Sequence, residues 1–262
     1  MSAPTQGVIV TAGSDPMNLQ VIQILHEDGF RVVHTRDAED AAAPADPQIP
    51  SLVHPVTDFT SAQVLLELIE STFGWVAGLV TPLPPSSSRA ITDVDAAGWN
   101  EFRQSDIKRN VAMAKAGVQV MSSRGGGRIV VLSSTSAFFG SGIEQAAANA
   151  AMISLSNAVT LSIEATQVTS NCVVVGSGED RGGLAATTAT SGEMVWRVVS
   201  FLLGDGGSDI SGQLVACSGT TVGLYVPPLI IESTNVLVKF DQTPSSAQIG
   251  AALEPLLATG RG

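Results

Sequence analysis

Positive charge is scarce in this chain. Of its 262 residues, 13 are Lys or Arg and 24 are Asp or Glu, a net charge of −11. Phosphate backbones are neutralised by clustered cations, so nucleic acid is disfavoured as a partner, and an anionic membrane surface with it. Cysteine is limited to Cys172 and Cys217, too few for a disulfide framework. Both stand in apolar runs and read as buried, reduced thiols. No apolar run reaches the roughly 18 residues of a membrane helix. Met1 to Gly7 has neither the basic nor the apolar region of a secretory signal, so a cytoplasmic protein is expected. The three histidines, His26, His34 and His54, lack metal-ligand spacing, and no metal is expected. Each of them reads as structural or exposed.

What is present suits one α/β domain. The apolar fraction is 44%, enough for a sizeable core at this length. Short apolar runs read as strands at Gly7–Ala12, Arg31–Thr35, Ser51–Val56, Trp75–Val80, Arg128–Ser133, Asn171–Val175 and Gln213–Cys217. Helical periodicity covers Met17–Asp28, Ser61–Phe73, Asp95–Met121, Glu144–Thr166 and Glu193–Leu203. Asp37–Pro50 reads as a loop. Thr81–Ser88 is irregular, because Pro82, Pro84 and Pro85 forbid both ladder and helix. Strands alternating with helices imply right-handed crossovers and a Rossmann-like, doubly wound parallel sheet. Residues 1–219 form that single domain. Residues 220–262 read as a C-terminal extension with no obvious place in the sheet; it holds the apolar runs Leu229–Ile231 and Val236–Phe240.

This order of elements resembles the short-chain dehydrogenase/reductase family over roughly residues 7 to 220. The most specific piece is Phe201-Leu-Leu-Gly-Asp-Gly-Gly-Ser-Asp-Ile-Ser-Gly-Gln213 with Leu214–Gly219, similar to the family's FLxSDxxxxITGQxLxVDGG segment. Phe73-Gly74, Trp99, Gly127–Val130 leading to Ser133-Ser134, and Asn171 also match. The resemblance implies a nicotinamide cofactor held by a TGxxxGxG turn, whose glycines let the backbone approach the pyrophosphate. Here the stretch is Thr11-Ala-Gly-Ser-Asp-Pro-Met-Asn18, with Ala12, Pro16 and Asn18 where the glycines belong. Pro16 lacks an N–H donor, and Asn18 puts a side chain in the cofactor's path. Asp15 would repel a pyrophosphate. Pro55 replaces the acid that meets the adenine, and Thr81-Pro82-Leu83-Pro84 replaces Asn-Asn-Ala-Gly. Arg36 and Asp37, which could meet a ribose or its phosphate, read as a solvated loop.

The resemblance also implies a Ser, Tyr, Lys and helix Asn for catalysis, with Tyr and Lys four apart on one helix face. The matching positions are Ser134 (or Ser133), Gln145, Asn149 and Asp106, with Asn110 one turn too late for the helix Asn. The frame rests on Ala150–Leu155, similar to the family's KAALxGL; shifting it by two gives Ala147 and Ala151. The one tyrosine is Tyr225, and no lysine lies between Lys115 and Lys239. Glu144 and Glu164 read as solvated or capping carboxylates. Val175-Gly176 stands for the family's Pro-Gly, and only Ser177–Gly192, small and polar, is left for a substrate lid.

These departures imply no catalytic residues and no cofactor in this chain. Family members assemble through their two long helices and through the last helix and strand. The expected role is thus a non-catalytic subunit in a hetero-oligomer, a heterotetramer, with an active, NAD-bearing short-chain dehydrogenase. Two alternatives are a cofactor-independent enzyme on the same scaffold and a ligand-binding sensor.

Overall fold

The computed structural model describes residues 7–13, 16–36, 48–84, 89–139, 142–163, 166–176, 191–218 and 221–224. The chain divides into two compact units, Met1–Tyr225 and Val226–Gly262, and the second lies outside the described residues.

Eight strands form one sheet: β1 (Val8–Ala12), β2 (Arg31–Arg36), β3 (Ser51–Val53), β4 (Val76–Val80), β5 (Gly127–Ser134), β6 (Val168–Val175), β7 (Leu214–Ser218) and β8 (Thr221–Leu224). Their order across the sheet is β3-β2-β1-β4-β5-β6-β7-β8. Every pairing from β3 to β7 is parallel, and only β7 with β8 is antiparallel. Helices cover both faces, as a parallel sheet requires. On one face lie α1 (Pro16–Glu27) and α7 (Ser191–Leu203), packed on Ile9, Val130, Leu132 and Val173. On the other lie α2 (Phe59–Phe73), α4 (Lys108–Ser123) and α6 (Ile143–Ser162), packed on Val8, Val10, Ile129 and Val131. Consecutive residues of β5 thus feed opposite cores, which is why the strand reads as an unbroken apolar run.

Local chemistry sets several boundaries. Asp58 caps α2: its carboxylate accepts from the Ser61 N–H at 2.8 Å, and the Asp58 N–H donates back to Ser61 Oγ. Gly127 lets β5 start beneath the end of α4, where a Cβ would fall 2.1 Å from Met121 Sδ. Cys172 and Cys217 are buried thiols, as expected. Burial pushes the Cys217 thiol up to about 11 and the Cys172 thiol further up.

The structure departs from the sequence reading in five places. The expected long helix Asp95–Met121 is broken into α3 (Ala96–Phe102), a π turn (Arg103–Ile107) and α4. A single widened turn shifts the helical phase without disturbing composition, so periodicity passes over it. The third strand stops at Val53, because β2 offers partners only from His34 to Arg36. The sixth begins earlier, at Val168, because β5 offers it parallel partners from Gly127 onward, and the polar Ser170 is met by Ser156, Oγ to Oγ, at 3.2 Å. Finally, Thr221–Leu224 joins the sheet as its antiparallel edge, and Ser136–Phe139 forms a short α5. No helix among the described residues is long and apolar enough to cross a membrane.

Candidate functional site

In doubly wound sheets, ligands bind at the carboxyl ends of the strands, where the chain switches faces. Here that place is the crevice beyond β1 and β4, flanked by the end of β5 and the start of α6.

The β1–α1 side is built on Gly13, at φ +93°. His34 on β2 steadies this turn, donating from Nε2 to the Gly13 carbonyl at 2.8 Å. Thr35 Oγ1 donates likewise to the Thr11 carbonyl at 3.0 Å. Ala12 ends β1, and Pro16 opens α1. Asp15 lies outside the described residues. Asn18 is 2% exposed, its amide turned into the crevice. A Cβ on Gly13 would lie 2.6 Å from Asn18 Nδ2 and 3.1 Å from Pro82 Cβ. Asn18 Oδ1 accepts from the Leu83 N–H at 3.4 Å. The side chain therefore spans from the β1 turn to the segment after β4. Thr81 extends the β4 ladder, donating from N to the Val130 carbonyl and accepting from Leu132 N at Oγ1. Pro55 stands apart beyond β3, exposed and without a side-chain acceptor.

Arg36 is a correction. It ends β2, is buried, and donates to Ser51 Oγ at 2.9 Å, so it ties β2 to β3 and is not part of a solvated loop. Asp37 lies outside the described residues, as do Glu164, Tyr225 and the short lid segment 177–190.

The β5–α6 side brings Ser133, Ser134, Gln145 and Asn149 together. Asn149 is 0% exposed. Its Oδ1 accepts from the Ser134 N–H at 2.7 Å, and its Nδ2 donates to the Gln145 carbonyl at 2.8 Å. Ser133 Oγ donates to the Asn149 carbonyl at 2.9 Å. Ser134 Oγ accepts from the Ser136 N–H at 3.3 Å. Gln145 itself is half-buried. These bonds fasten α6 to the end of β5. Asp106 is buried in the π turn, where its carbonyl accepts from Asn110 Nδ2 at 3.0 Å.

Glu144 is the second correction, and its partner Arg89 was not legible in the sequence. Glu144 is 2% exposed and meets the Arg89 guanidinium twice, at 3.0 Å (Nε to Oε2) and 2.7 Å (Nη2 to Oε1). The Arg89 carbonyl accepts from the Ile143 N–H, and its guanidinium lies over Gly98 of α3. One side chain thus joins the segment after β4, α3 and the first turn of α6.

Comparison with known proteins fits this architecture. Residues 6–179 match the family model described as short chain dehydrogenase. The chain belongs to the short-chain dehydrogenase family. It is 24% identical over 238 residues to the 3-oxoacyl-[acyl-carrier-protein] reductase FabG of Escherichia coli, with 83% of this chain and 96% of that one covered. It is also 24% identical, over 237 residues, to the dehydrogenase/reductase SDR family member 4 of rabbit, Oryctolagus cuniculus, covering 80% and 91%. A crystal structure of a short chain dehydrogenase from Mycobacterium avium superposes with a TM-score of 0.80 at 18% identity, covering 98% of this chain and 96% of that one. This short-chain dehydrogenase is therefore a member of an oxidoreductase family. The amides of Asn18 and Asn149 are nevertheless engaged by the chain's own atoms.

Proposed function

We propose that this short-chain dehydrogenase is a non-catalytic subunit that assembles with an active, NAD-dependent short-chain dehydrogenase in a hetero-oligomer. Asn149 carries the reading. At the position where the resemblance calls for an ammonium, it is a fully buried amide with both polar atoms spent on the backbone. Gln145, one turn earlier, has no phenol to pass a proton to a substrate oxygen.

The nucleotide side agrees. A dinucleotide needs open backbone at the first turn, and Asn18 fills that space against Gly13 and Pro82. These residues do not fit the cofactor. NAD then belongs to the partner, and the complex oxidises an alcohol of the hydroxyacyl-CoA type. The arrangement resembles the paired active and inactive subunits of 2-(hydroxybenzyl)succinyl-CoA dehydrogenase.

The test is the native mass of the complex recovered from source cells through a tag on this chain. A second short-chain dehydrogenase in fixed ratio is the expected result. A homo-oligomer with nothing else bound, or NAD(P)-dependent turnover by the purified chain, overturns the reading.

A further inference from the structure

Three internal ties join the segments around the carboxyl edge of the sheet. Asn18 reaches from the β1 turn to Leu83. Asn149 joins α6 to Ser134. Arg89 joins the segment after β4 to Glu144. Two of the three are asparagines in helices, Asn18 in the first turn of α1 and Asn149 in the interior of α6, where Ala is the better helix former. An Asn in such a place costs helix stability unless its amide bonds elsewhere. Both amides do, and both are buried. Without them, backbone N–H groups at the carboxyl edge would lose their partners, which is costly where water is excluded.

We propose that the crevice is a sealed structural seam, in which the Asn18 and Asn149 amides occupy the room and satisfy the backbone groups that a ligand would otherwise claim. The chain then reaches its full stability without a bound nucleotide. The proposal rests on the reading that this chain binds none, and it adds that the closed crevice supports the fold.

Asn18→Ala and Asn149→Ala in the full chain test it by sign. Helix propensity alone predicts that N149A melts higher than the parent and that N18A, in a first turn, melts no lower. The seam predicts that both melt lower, by roughly 2–4 °C for N18A and roughly 4–8 °C for N149A. Amide hydrogen exchange should quicken about tenfold or more at Ser134 in N149A alone, and at Leu83 in N18A alone. N149S is the milder variant should N149A not fold, read by the same exchange at Ser134. NAD+ and NADP+ at millimolar concentration should leave the parent's melting temperature unchanged. Variants that melt no lower and exchange no faster overturn the seam but leave the subunit reading standing, since the parent still ignores nucleotide. A parent stabilised by NAD+ overturns both.

Discussion

The β1–α1 turn and the β5–α6 connection face the same crevice, but they are finished to different standards. On the β5–α6 side, Asn149 makes bonds of 2.7 and 2.8 Å, Ser133 Oγ closes the strand end onto the helix, and Glu144 has a two-point ion pair. On the β1–α1 side, the bond from Leu83 to Asn18 is 3.4 Å long, and the buried Thr11 Oγ1 has no partner among the described residues. One side is a hydrogen-bonded joint between strand and helix, whereas the other is closed mainly by the volume of Asn18 against Gly13 and Pro82. A strand end and a helix start can thus be joined by bonds or by volume.

The largest blow to this contrast comes from outside the crevice. Trp196 of α7 is fully buried, and its Nε1–H donates to Gln20 of α1 at 3.2 Å. Trp196→Ala should cost about 3–5 kcal/mol in chemical denaturation. If the two sides are independent, exchange rises first around Gly13 and Val21 while Ser134 stays protected. Equal loosening of both would erase the distinction. Arg89→Ala attacks the other side. It takes the guanidinium away from the buried Glu144 carboxylate, at a cost of about 3–5 kcal/mol. Glu144→Ala should cost less, because the stranded Arg89 is 44% exposed and can be solvated.

Next in size is the gap between the two asparagines. N149A should lose about 1–3 kcal/mol and N18A about 1 kcal/mol. The double variant should show nearly additive losses, since the two amides share no partner. Coupling well above about 0.5 kcal/mol would make the crevice one unit. The smallest effect is a control remote from both sides. Ser61, first through its backbone N–H and then through its side chain, holds the Asp58 carboxyl below its ordinary value. A lowered folded-state value means stabilisation that is complete above the ordinary Asp pKa and lost as pH falls through the lowered one. The melting difference between the parent and Asp58→Asn should therefore shrink on acidification, with exchange in the crevice unchanged throughout.

Much of the sheet was legible because it depends on neighbours in sequence. Runs such as Val8–Val10 and Ile129–Leu132 announce strands buried on both faces, and Pro82 and Pro84 announce a break after β4. The positions that depart from the family, Asn18, Pro82, Gln145 and Asn149, were also visible as residue types. What those residues do instead was not. Asn149 meets Ser134 across 15 residues and Glu144 meets Arg89 across 55, and neither spacing leaves a periodic trace. The π turn at Arg103–Ile107 and the edge strand Thr221–Leu224 escaped for a related reason. One is an insertion without a composition signal, and the other is too short to stand out.

The Asn149 amide also bears on redesign. It serves a strand and a helix at once, in a fully buried place. Lysine there would need room for a longer stem and a counter-charge for its ammonium, while the Ser134 N–H went unanswered. Each first step toward a proton-transfer site at this position therefore passes through a less stable protein. Redesign here is a concerted problem: the lysine, its counter-charge and a new acceptor for the Ser134 N–H have to arrive together.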